Sequence, residues 1–329
     1  MPSTRVLPID PVHPDRDALR EAAAILRAGG LVAFPTETVY GLGANALDED
    51  AVRRVFEAKG RPPVNPLIVH VTGETMVRGL VTDWSAEART LAGRYWPGPL
   101  TLVLPKGSAV ADVVTAGGST VAVRAPGHPV ALGLIREVGV PLAAPSANRS
   151  GQLSPTRAEH VLAGLDGRID LILDGGPTPN GIESTVLDLT TTRPTLLRPG
   201  PIGISDLEAT VGPIERRLGI SPGPLPSPGL LLRHYAPRTP VELHLRDALD
   251  ARIADLEGNK ENFGVVFLGT RSEEKRIGLP LDPEAYATRL YDVLHDLDSL
   301  DLSRILVELP PDTDPWMAIR DRLIRAATR

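Results

Sequence analysis

The sequence has no cysteine among its 329 residues, and aromatic residues make up only 4% of it. The lack of thiols excludes disulfide scaffolds, thiolate zinc sites, iron–sulfur clusters and cysteine nucleophiles together. No HExxH motif and no pair of histidines at metal-ligand spacing occurs, and no Ser, His and Asp order suggests a triad. Any catalytic chemistry must therefore come from other nitrogen and oxygen groups.

Long apolar runs and an excess of positive charge are also missing. No stretch approaches the roughly 20 apolar residues that a membrane helix needs. Residues 1–20 contain four prolines and no apolar run, which argues against a secretory signal. The 41 acidic residues outnumber the 35 basic ones, so we do not expect nucleic acid to be held by bulk electrostatics. These absences predict a cytoplasmic protein without membrane association.

The composition itself is that of a globular protein, with 42% hydrophobic and 23% charged residues. Helical spacing, as in residues 15–27 and in a helix capped by Asp48, alternates with short apolar runs, which indicates an α/β fold with a mixed sheet. Residues 35–45 are predicted to be an irregular loop between a strand and a helix. The predicted strands are residues 31–34, 67–71, 99–104, 120–124, 142–144, 169–173, 184–189 and 195–198.

The length favours two domains, and residues 221–240 supply a boundary because they contain six prolines and two glycines. We predict a first domain at 1–218, a connector at 219–240 and a second domain at 241–329. Strand and helix patterns alternate beyond the connector. That alternation is typical of a small parallel, Rossmann-like α/β domain.

The common phosphate-binding loop G-x-x-x-x-G-K-[ST] is absent, and Gly41-Leu42-Gly43 is too short for a dinucleotide fingerprint. The segment 59–66 is more informative, because Lys59, Arg61 and Asn65 lie at a helix end among prolines that restrict the backbone. Such a segment can clamp phosphate. Alternatively, the two cations compensate the dipole at the helix C-terminus.

Polar residues also follow or precede several predicted strands. Residues 145–151 offer hydroxyl, amide and guanidinium donors at a strand's carboxyl end, where ligands gather in open α/β sheets, although a polar turn would look the same. Arg124 ends a strand and suits a carboxylate or a structural ion pair. His70 lies in an apolar strand, where a histidine is more often a core residue.

Taken together, these ordered segments resemble the threonylcarbamoyl-AMP synthase family, in its long form with a YrdC-like domain and an additional C-terminal domain. The resemblance extends over about residues 15–240 and implies a twisted, mixed sheet with a large concave pocket. The similar segments are residues 29–42, 59–65, 96–101, 123–126, 145–148, 183–185, 198–200, 227–229 and 234–237.

The resemblance also implies a role for individual residues. Threonine would be bound by Thr38, His70, Arg124, the backbone of Ala144 and Ser184. ATP would be bound by Arg61, Asn65, Thr120, Ser146, Ser154, Arg198 and, from a connector that acts as a lid, Tyr235. Lys59 and Arg61 would neutralise charge as pyrophosphate leaves, and are the predicted catalytic residues.

The implied reaction joins L-threonine, bicarbonate or carbon dioxide, and ATP into threonylcarbamoyl-adenylate, the precursor of a modified adenosine next to the tRNA anticodon. Magnesium is expected with ATP, but its protein ligands are not apparent from the sequence. A downstream tRNA threonylcarbamoyl transferase would use the product. The enzyme would be a nucleotidyltransferase that needs no protein nucleophile.

Two rival interpretations deserve comparison with this one. Larger carbamoyltransferases use the same fold but carry cysteine-rich zinc segments, which this chain lacks. The other rival is a non-enzymatic module that binds double-stranded RNA or tRNA through a basic concave face, or an enzyme with a weak RNA contact. The residues that could supply that face are Arg53, Arg54, Lys59, Arg61, Arg149 and Arg157.

Overall fold

A computed structural model describes residues 3–217, 235–270 and 272–328. Most of the predicted connector, including residues 227–229 and His234, lies outside these residues. The domain boundaries at 218 and 240 stay predictions. No helix in the described part of the chain is long and apolar enough to cross a membrane.

Strands and helices alternate through residues 3–217, as the sequence predicts. The strands are β1 (Arg5–Pro8), β2 (Val32–Phe34), β3 (Gly41–Asn45), β4 (Ile68–His70), β5 (Leu100–Pro105), β6 (Thr120–Arg124), β7 (Leu142–Ala143), β8 (Leu171–Asp174), β9 (Thr185–Asp188), β10 (Thr195–Arg198) and β11 (Glu215–Arg216). The helices are α1 (Arg16–Arg27), α2 (Glu49–Lys59), α3 (Glu74–Val77), α4 (Ala86–Tyr95), α5 (Asp112–Thr115), α6 (Pro129–Val138), α7 (Ala158–Leu165) and α8 (Ile204–Val211).

These strands form one mixed sheet in the order β1-β8-β2-β3-β7-β4-β6-β5-β9-β10-β11. Parallel pairing of β4 with β6 sets His70 opposite Arg124. Antiparallel pairing of β9 with β10 sets Arg198 opposite Val186, close to the start of β9. The pairing therefore brings segments that are distant in sequence to one region of the sheet.

The remaining described residues form a smaller α/β unit. Its elements are β12 (Val241–His244), α9 (Arg246–Gly258), β13 (Phe263–Leu268), β14 (Ser272–Glu273), β15 (Arg276–Leu279), α10 (Pro283–Asp298), β16 (Arg304–Glu308), a 3₁₀ turn (Asp314–Trp316) and α11 (Met317–Ala327). The sheet order is β12-β16-β13-β15-β14, and only the β14–β15 pair is antiparallel among these residues. A nearly parallel sheet agrees with the predicted Rossmann-like pattern.

Local sequence signals explain the ends of the helix that leads into the site. The Asp48 carboxylate accepts hydrogen bonds from the backbone N–H groups of Asp50 and Ala51 and so caps α2. Gly60 ends the helix in the left-handed region, with φ at 61°, as a glycine after a helix often does. The chain therefore turns sharply at the segment that carries Lys59 and Arg61.

One sequence prediction was wrong: residues 41–45 form strand β3 and not part of a loop. Glycines there suggested turns. Instead, Gly43 makes room for a ring, since a Cβ at this position would lie 2.7 Å from the Phe34 side chain. The close approach lets β2 and β3 pair, which sequence spacing alone could not show.

The smaller unit packs closely against the first. Val39, Leu153 and Ile182 belong to the same hydrophobic cluster as residues of α10, including Tyr291. A Cβ on Gly181 would lie 2.3 Å from the carbonyl oxygen of residue 287 in α10, so only glycine allows this approach. The two units therefore share a buried interface next to the segments that begin β3 and β9.

A stacked histidine pair at this interface predicts how stability depends on pH. The rings of His160 on α7 and His295 on α10 have centroids 3.8 Å apart. Burial lowers the pKa of His160 to about 4; His295 and Arg157 lower it too, and Asp292 opposes them. Burial also lowers the pKa of His295, opposed mainly by its hydrogen bond to Ser154.

An unfolded histidine binds a proton near pH 6.5, whereas folded His160 does so only near pH 4. Between these values the unfolded state holds more protons, so the free energy of unfolding should fall as pH falls from about 6.5 to 4. We expect urea unfolding, measured at several pH values in this range, to show that the unfolding free energy of His160→Gln changes less with pH than that of the wild type. An unfolding free energy of His160→Gln that changes with pH as much as that of the wild type would contradict the assignment.

Candidate active site

A small, partly open cavity lies where the ends of several strands converge. It is bordered by the carboxyl ends of β4 and β6, the start of β3, the residues after β7, and the facing ends of β9 and β10. Among the predicted site residues, the cavity is lined by Thr38, Arg61, His70, Arg124, Ala144, Ser146, Ser184, Arg198 and Tyr235.

Arg124 lines the cavity, and its guanidinium group still has N–H donors that bond no described residue. Its side chain is 4% exposed, its Nη2 lies 2.7 Å from Glu37 Oε1, and its Nε donates to the Gly98 carbonyl at 3.3 Å. Nη2 and Oε1 are close enough for an ion pair, but they are not aligned for a hydrogen bond. Neither atom has a hydrogen-bond partner among the described residues. Arg124 therefore retains the capacity to bond a second carboxylate in two-point fashion.

His70 lies beside Arg124 and is buried, with no hydrogen-bond partner among the described residues for either ring nitrogen. Burial, with a smaller effect from the Arg124 charge, lowers the pKa of His70 well below its ordinary value. The imidazole is therefore neutral at pH 7 and offers one donor and one acceptor. A buried polar group without partners is costly unless a ligand satisfies it.

Hydroxyl groups also line the cavity. The Oγ1 atoms of Thr36 and Thr38 are 2.9 Å apart, and Thr36 also donates to the Val39 carbonyl at 2.7 Å. When Thr36 donates to that carbonyl, Thr38 donates to Thr36. The backbone N–H of Ala144 donates to the Ile68 carbonyl at 2.9 Å, which ties the residue after β7 to β4.

Arg61 lies buried toward another side of the cavity. Its Nε donates to the Asn65 carbonyl at 2.9 Å and its Nη2 to the Pro66 carbonyl at 2.7 Å, partners without formal charge. Burial lowers its pKa to about 9; Tyr235 opposes this effect and Arg198 adds to it. The group stays charged at pH 7, so an anion would relieve a desolvated charge.

Three predicted ATP residues, Asn65, Thr120 and Ser154, do not line the cavity in this structure. The Asn65 side chain is fully buried, and its amide atoms have no hydrogen-bond partner among the described residues. Thr120 begins β6, at the opposite end of that strand from Arg124. There it pairs with Pro105 of β5.

Arg198 connects the two strands that carry the remaining polar groups. Its Nε donates to the Ser184 carbonyl, its Nη2 to the Ser184 hydroxyl, both at 3.0 Å, and its Nη1 to the Tyr235 hydroxyl at 3.3 Å. The close approach of the chain after β10 to the start of β9 depends on Gly200, because a Cβ there would lie 2.3 Å from the Thr185 nitrogen. The Ser184 hydroxyl lies 2.8 Å from that of Thr101.

Lys59 supports the loop after β7 and does not itself line the cavity. Its ammonium donates to the carbonyl oxygens of Ser146, at 2.5 Å, and Asn148. Burial lowers its pKa well below the ordinary lysine value, and Arg61 and Arg149 lower it further. Through these hydrogen bonds Lys59 holds the loop that carries Ser146. Its catalytic role stays a prediction.

Ser154 also lies behind the cavity wall, where its hydroxyl donates to the Glu183 carboxylate. The other Glu183 oxygen accepts from Arg322 at 2.6 Å and from the Tyr291 hydroxyl at 3.3 Å. Tyr291 and Arg322 belong to the smaller unit. A carboxylate that lines the cavity is thus bonded by both parts of the chain.

Tyr235 reaches the cavity with an unusual backbone. Its φ is 60°, a region that costs a bulky residue about 1–3 kcal/mol, and its side chain is buried. We expect Tyr235→Ala to lower the turnover number about tenfold, because the cavity loses an aromatic ring that lines it and that the predicted lid would supply. Tyr235→Phe keeps the ring and serves as the control. Steady-state kinetics in which both variants match wild type would reject a role as a cover.

The sequence prediction missed Glu37, Glu183 and Arg322. Glu37 and Glu183 lie within the segments 29–42 and 183–185 that the prediction singled out, so the acidic charge beside each strand end was a usable signal. Arg322 had no such signal, because its partners are far away in sequence.

Comparisons with known proteins agree with this architecture. The family model described as telomere recombination, which groups the Sua5, YciO and YrdC proteins, matches residues 24–200. A model of the threonylcarbamoyl-AMP synthase C-terminal domain matches residues 202–328. Escherichia coli YciO shares the fold of the first part, with a TM-score of 0.56 and 22% identity over 62% of this chain and 99% of that chain.

Full-length relatives extend the match. The threonylcarbamoyl-AMP synthase of Bacillus subtilis is 46% identical over 94% of this chain and 92% of its own length, and that of Pyrococcus abyssi is 44% identical over 94% of each. The crystal structure of P. abyssi Sua5 complexed with L-threonine superposes with a TM-score of 0.92, at 42% identity, over 98% of each chain.

The fold and these matches define an ATP-using enzyme of the nucleotidyltransferase class with a YrdC-like domain. More narrowly, the chain belongs to the threonylcarbamoyl-AMP synthase family. The family, fold class and enzyme class predicted from the sequence are confirmed. The assignment of individual residues to substrates stays a prediction.

Proposed function

We propose that this chain joins L-threonine, bicarbonate or carbon dioxide, and ATP into threonylcarbamoyl-AMP, with release of pyrophosphate. The observation that carries the proposal is one cavity bordered by two kinds of anion site. Arg124 lines it next to His70, which has no hydrogen-bond partner among the described residues, and Arg61 lines it close enough to Arg198 for their charges to interact. An amino acid and a polyphosphate are ligands that such an arrangement can hold side by side.

At the first end, Arg124 would bind the threonine carboxylate in competition with Glu37, which lies 2.7 Å away. His70, Thr38 and Ser184 would hydrogen-bond the remaining polar groups, together with the backbone of Ala144. A site that hydrogen-bonds the substrate hydroxyl rejects analogues without it strongly, whereas serine, which lacks only a methyl group, would be resisted by about 1–3 kcal/mol.

At the other end, Arg61 and Arg198 would bind the ATP phosphates, with Ser146 and the Tyr235 hydroxyl nearby. Both guanidinium groups are buried, so each phosphate contact would form in a medium of low dielectric. Asn65, Thr120 and Ser154 lie behind this surface and would reach the nucleotide only if the cavity opens further. Lys59 would act through the loop that it holds.

The chemistry balances without a protein nucleophile. The threonine amine attacks bicarbonate, forms a C–N bond and releases water, which gives a carbamate. A carbamate oxygen then attacks the α-phosphorus, and the bond from that phosphorus to the bridging oxygen breaks as pyrophosphate leaves. Positioning, charge stabilisation by Arg61 and Arg198, and exclusion of water would supply the rate enhancement.

Magnesium would enter with the nucleotide. No three His, Asp or Glu side chains of the described residues group as a metal site, and Glu37 and Glu183 are each paired with an arginine. Mg²⁺ in such enzymes is commonly held through substrate phosphates and water. We therefore treat it as part of the substrate, MgATP.

The alternative of an RNA-binding module gains no support from the structure. Lys59 and Arg61 are buried, and Arg53, Arg54 and Arg157 each form an ion pair with an acidic side chain. Few of the basic residues proposed for RNA are therefore available to phosphates. A weak RNA contact, the downstream transferase and a cytoplasmic location stay predictions.

The proposal is tested by omitting one substrate at a time. Purified protein should release pyrophosphate from ATP only when threonine and bicarbonate are both present. Equal pyrophosphate release in the absence of threonine would refute the proposal. Steeply salt-dependent RNA binding with no turnover would instead favour the binding module.

A further inference from the structure

Arg322, on the final helix α11, carries a completely buried charge behind the cavity. Its side chain is 0% exposed. Its Nε donates to the Glu183 carboxylate at 2.6 Å, its Nη2 to the Pro199 carbonyl at 3.0 Å, and its guanidinium carbon lies 5.1 Å from the centre of the Tyr235 ring. The edge and the face of one guanidinium therefore contact three separate segments.

Each of these segments presents a residue of the proposed ATP end. Glu183 accepts a hydrogen bond from the Ser154 hydroxyl, and Pro199 directly follows Arg198. The Tyr235 ring itself lines the cavity. A displacement of Arg322 would therefore move groups around the nucleotide while leaving His70 and Arg124, on β4 and β6, in place.

Arg322 keeps its positive charge despite its burial. Burial opposes ionisation, but Glu183, Tyr235 and Asp321 outweigh it and raise the pKa of Arg322 well above its ordinary value. Asp321 also accepts from Nη1 at 2.7 Å. Such a planar fork can bond a carboxylate and a carbonyl while it stacks on an aromatic ring, and a lysine ammonium cannot reproduce that combination.

We propose that Arg322 is a positioning residue through which the C-terminal unit orders the ATP end of the active site. The inference rests on the proposed function, since it assigns the ATP phosphates to Arg198 and its neighbours. It gives the C-terminal unit a part in substrate binding. Arg322 touches no substrate and acts through Glu183, Pro199 and Tyr235.

The test compares Arg322→Lys with wild type in the full-length chain. Lysine keeps the charge next to Glu183 but loses the fork and the stacked plane. We expect the KM for ATP to rise about tenfold or more, and the Kd for an α,β-methylene ATP analogue to rise with it. The Kd for threonine, measured by calorimetry, should rise less than the Kd for the ATP analogue, because Arg322 bonds neither Arg124 nor His70 and reaches Ser184 only through the neighbouring Glu183.

The matched control is Arg320→Lys on the same helix, whose side chain bonds the Pro310 carbonyl and pairs with Asp312, both in the C-terminal unit. It should leave both affinities near wild type. Unchanged ATP affinity in Arg322→Lys would overturn the inference, and so would an equal loss of threonine and ATP affinity, which would show a general effect on folding. Wild-type protein that fails to turn over the three substrates would instead refute the proposed function.

Discussion

Arg124→Met is expected to weaken threonine binding by about a hundredfold or more, with little change in the affinity for an ATP analogue. Truncating one partner of a buried, hydrogen-bonded charge pair costs about 2–5 kcal/mol, and a hundredfold loss corresponds to about 2.7 kcal/mol. Arg124 is 4% exposed, so water cannot replace it as the partner of the threonine carboxylate. Calorimetric titration with threonine measures the effect directly.

A companion variant separates binding from stability. Arg124→Met leaves the Glu37 carboxylate buried without its ion pair, which destabilises the fold by itself. The double variant Arg124→Met/Glu37→Gln removes both charges, so it should recover part of the lost unfolding free energy but none of the threonine affinity. Wild-type threonine affinity in the double variant would show that the carboxylate binds elsewhere.

Arg61→Met is expected to lower kcat/KM for ATP by about 10²–10³-fold, the range found when a buried donor to developing charge is removed. Its two hydrogen bonds to the Asn65 and Pro66 carbonyls aim the guanidinium and do not neutralise it. An approaching polyphosphate therefore meets a complete positive charge. Threonine affinity should change by less than about threefold, since the hydrogen bonds of Arg61 go to Asn65 and Pro66 and not to His70 or Arg124.

Two further variants make this result interpretable. Arg61→Lys keeps the charge with fewer donors, so its kcat/KM should lie between those of wild type and Arg61→Met. Arg54→Met makes the same change on the exposed face of α2, where Arg54 pairs with Asp170 at 3.3 Å, and should retain full activity. If Arg61→Met retained wild-type kcat/KM, the phosphate assignment would be wrong.

Strand positions could be predicted closely from the sequence where apolar runs end at a charge. β6 and β10 occupy the predicted residues 120–124 and 195–198, and each ends in an arginine that lines the cavity. β3 could not be predicted, because its glycines look like turn residues until the Phe34 ring is placed against them. That contact is tertiary, and no local pattern contains it.

The same division holds for the site. Arg124 could be proposed from its strand as the partner of a carboxylate or of a structural ion pair, whereas His70 taken alone looked like a core residue, and only the family resemblance placed both at a substrate. The Glu183–Arg322 pair spans 139 residues and joins two units of the chain, so neither sequence neighbourhood reveals it. Lys59 shows the opposite difficulty: its charge suggested contact with phosphate, whereas its donors bond the carbonyls of Ser146 and Asn148.

The most direct test of the central claim is the mass of the product. Wild-type protein should be incubated with threonine, ATP and ¹³C-bicarbonate, and the nucleotide products separated and weighed. We predict threonylcarbamoyl-adenylate that carries one ¹³C atom, formed in proportion to the pyrophosphate released. An unlabelled threonyl-adenylate, in which the amino acid carboxylate attacked the α-phosphorus directly, would contradict this account.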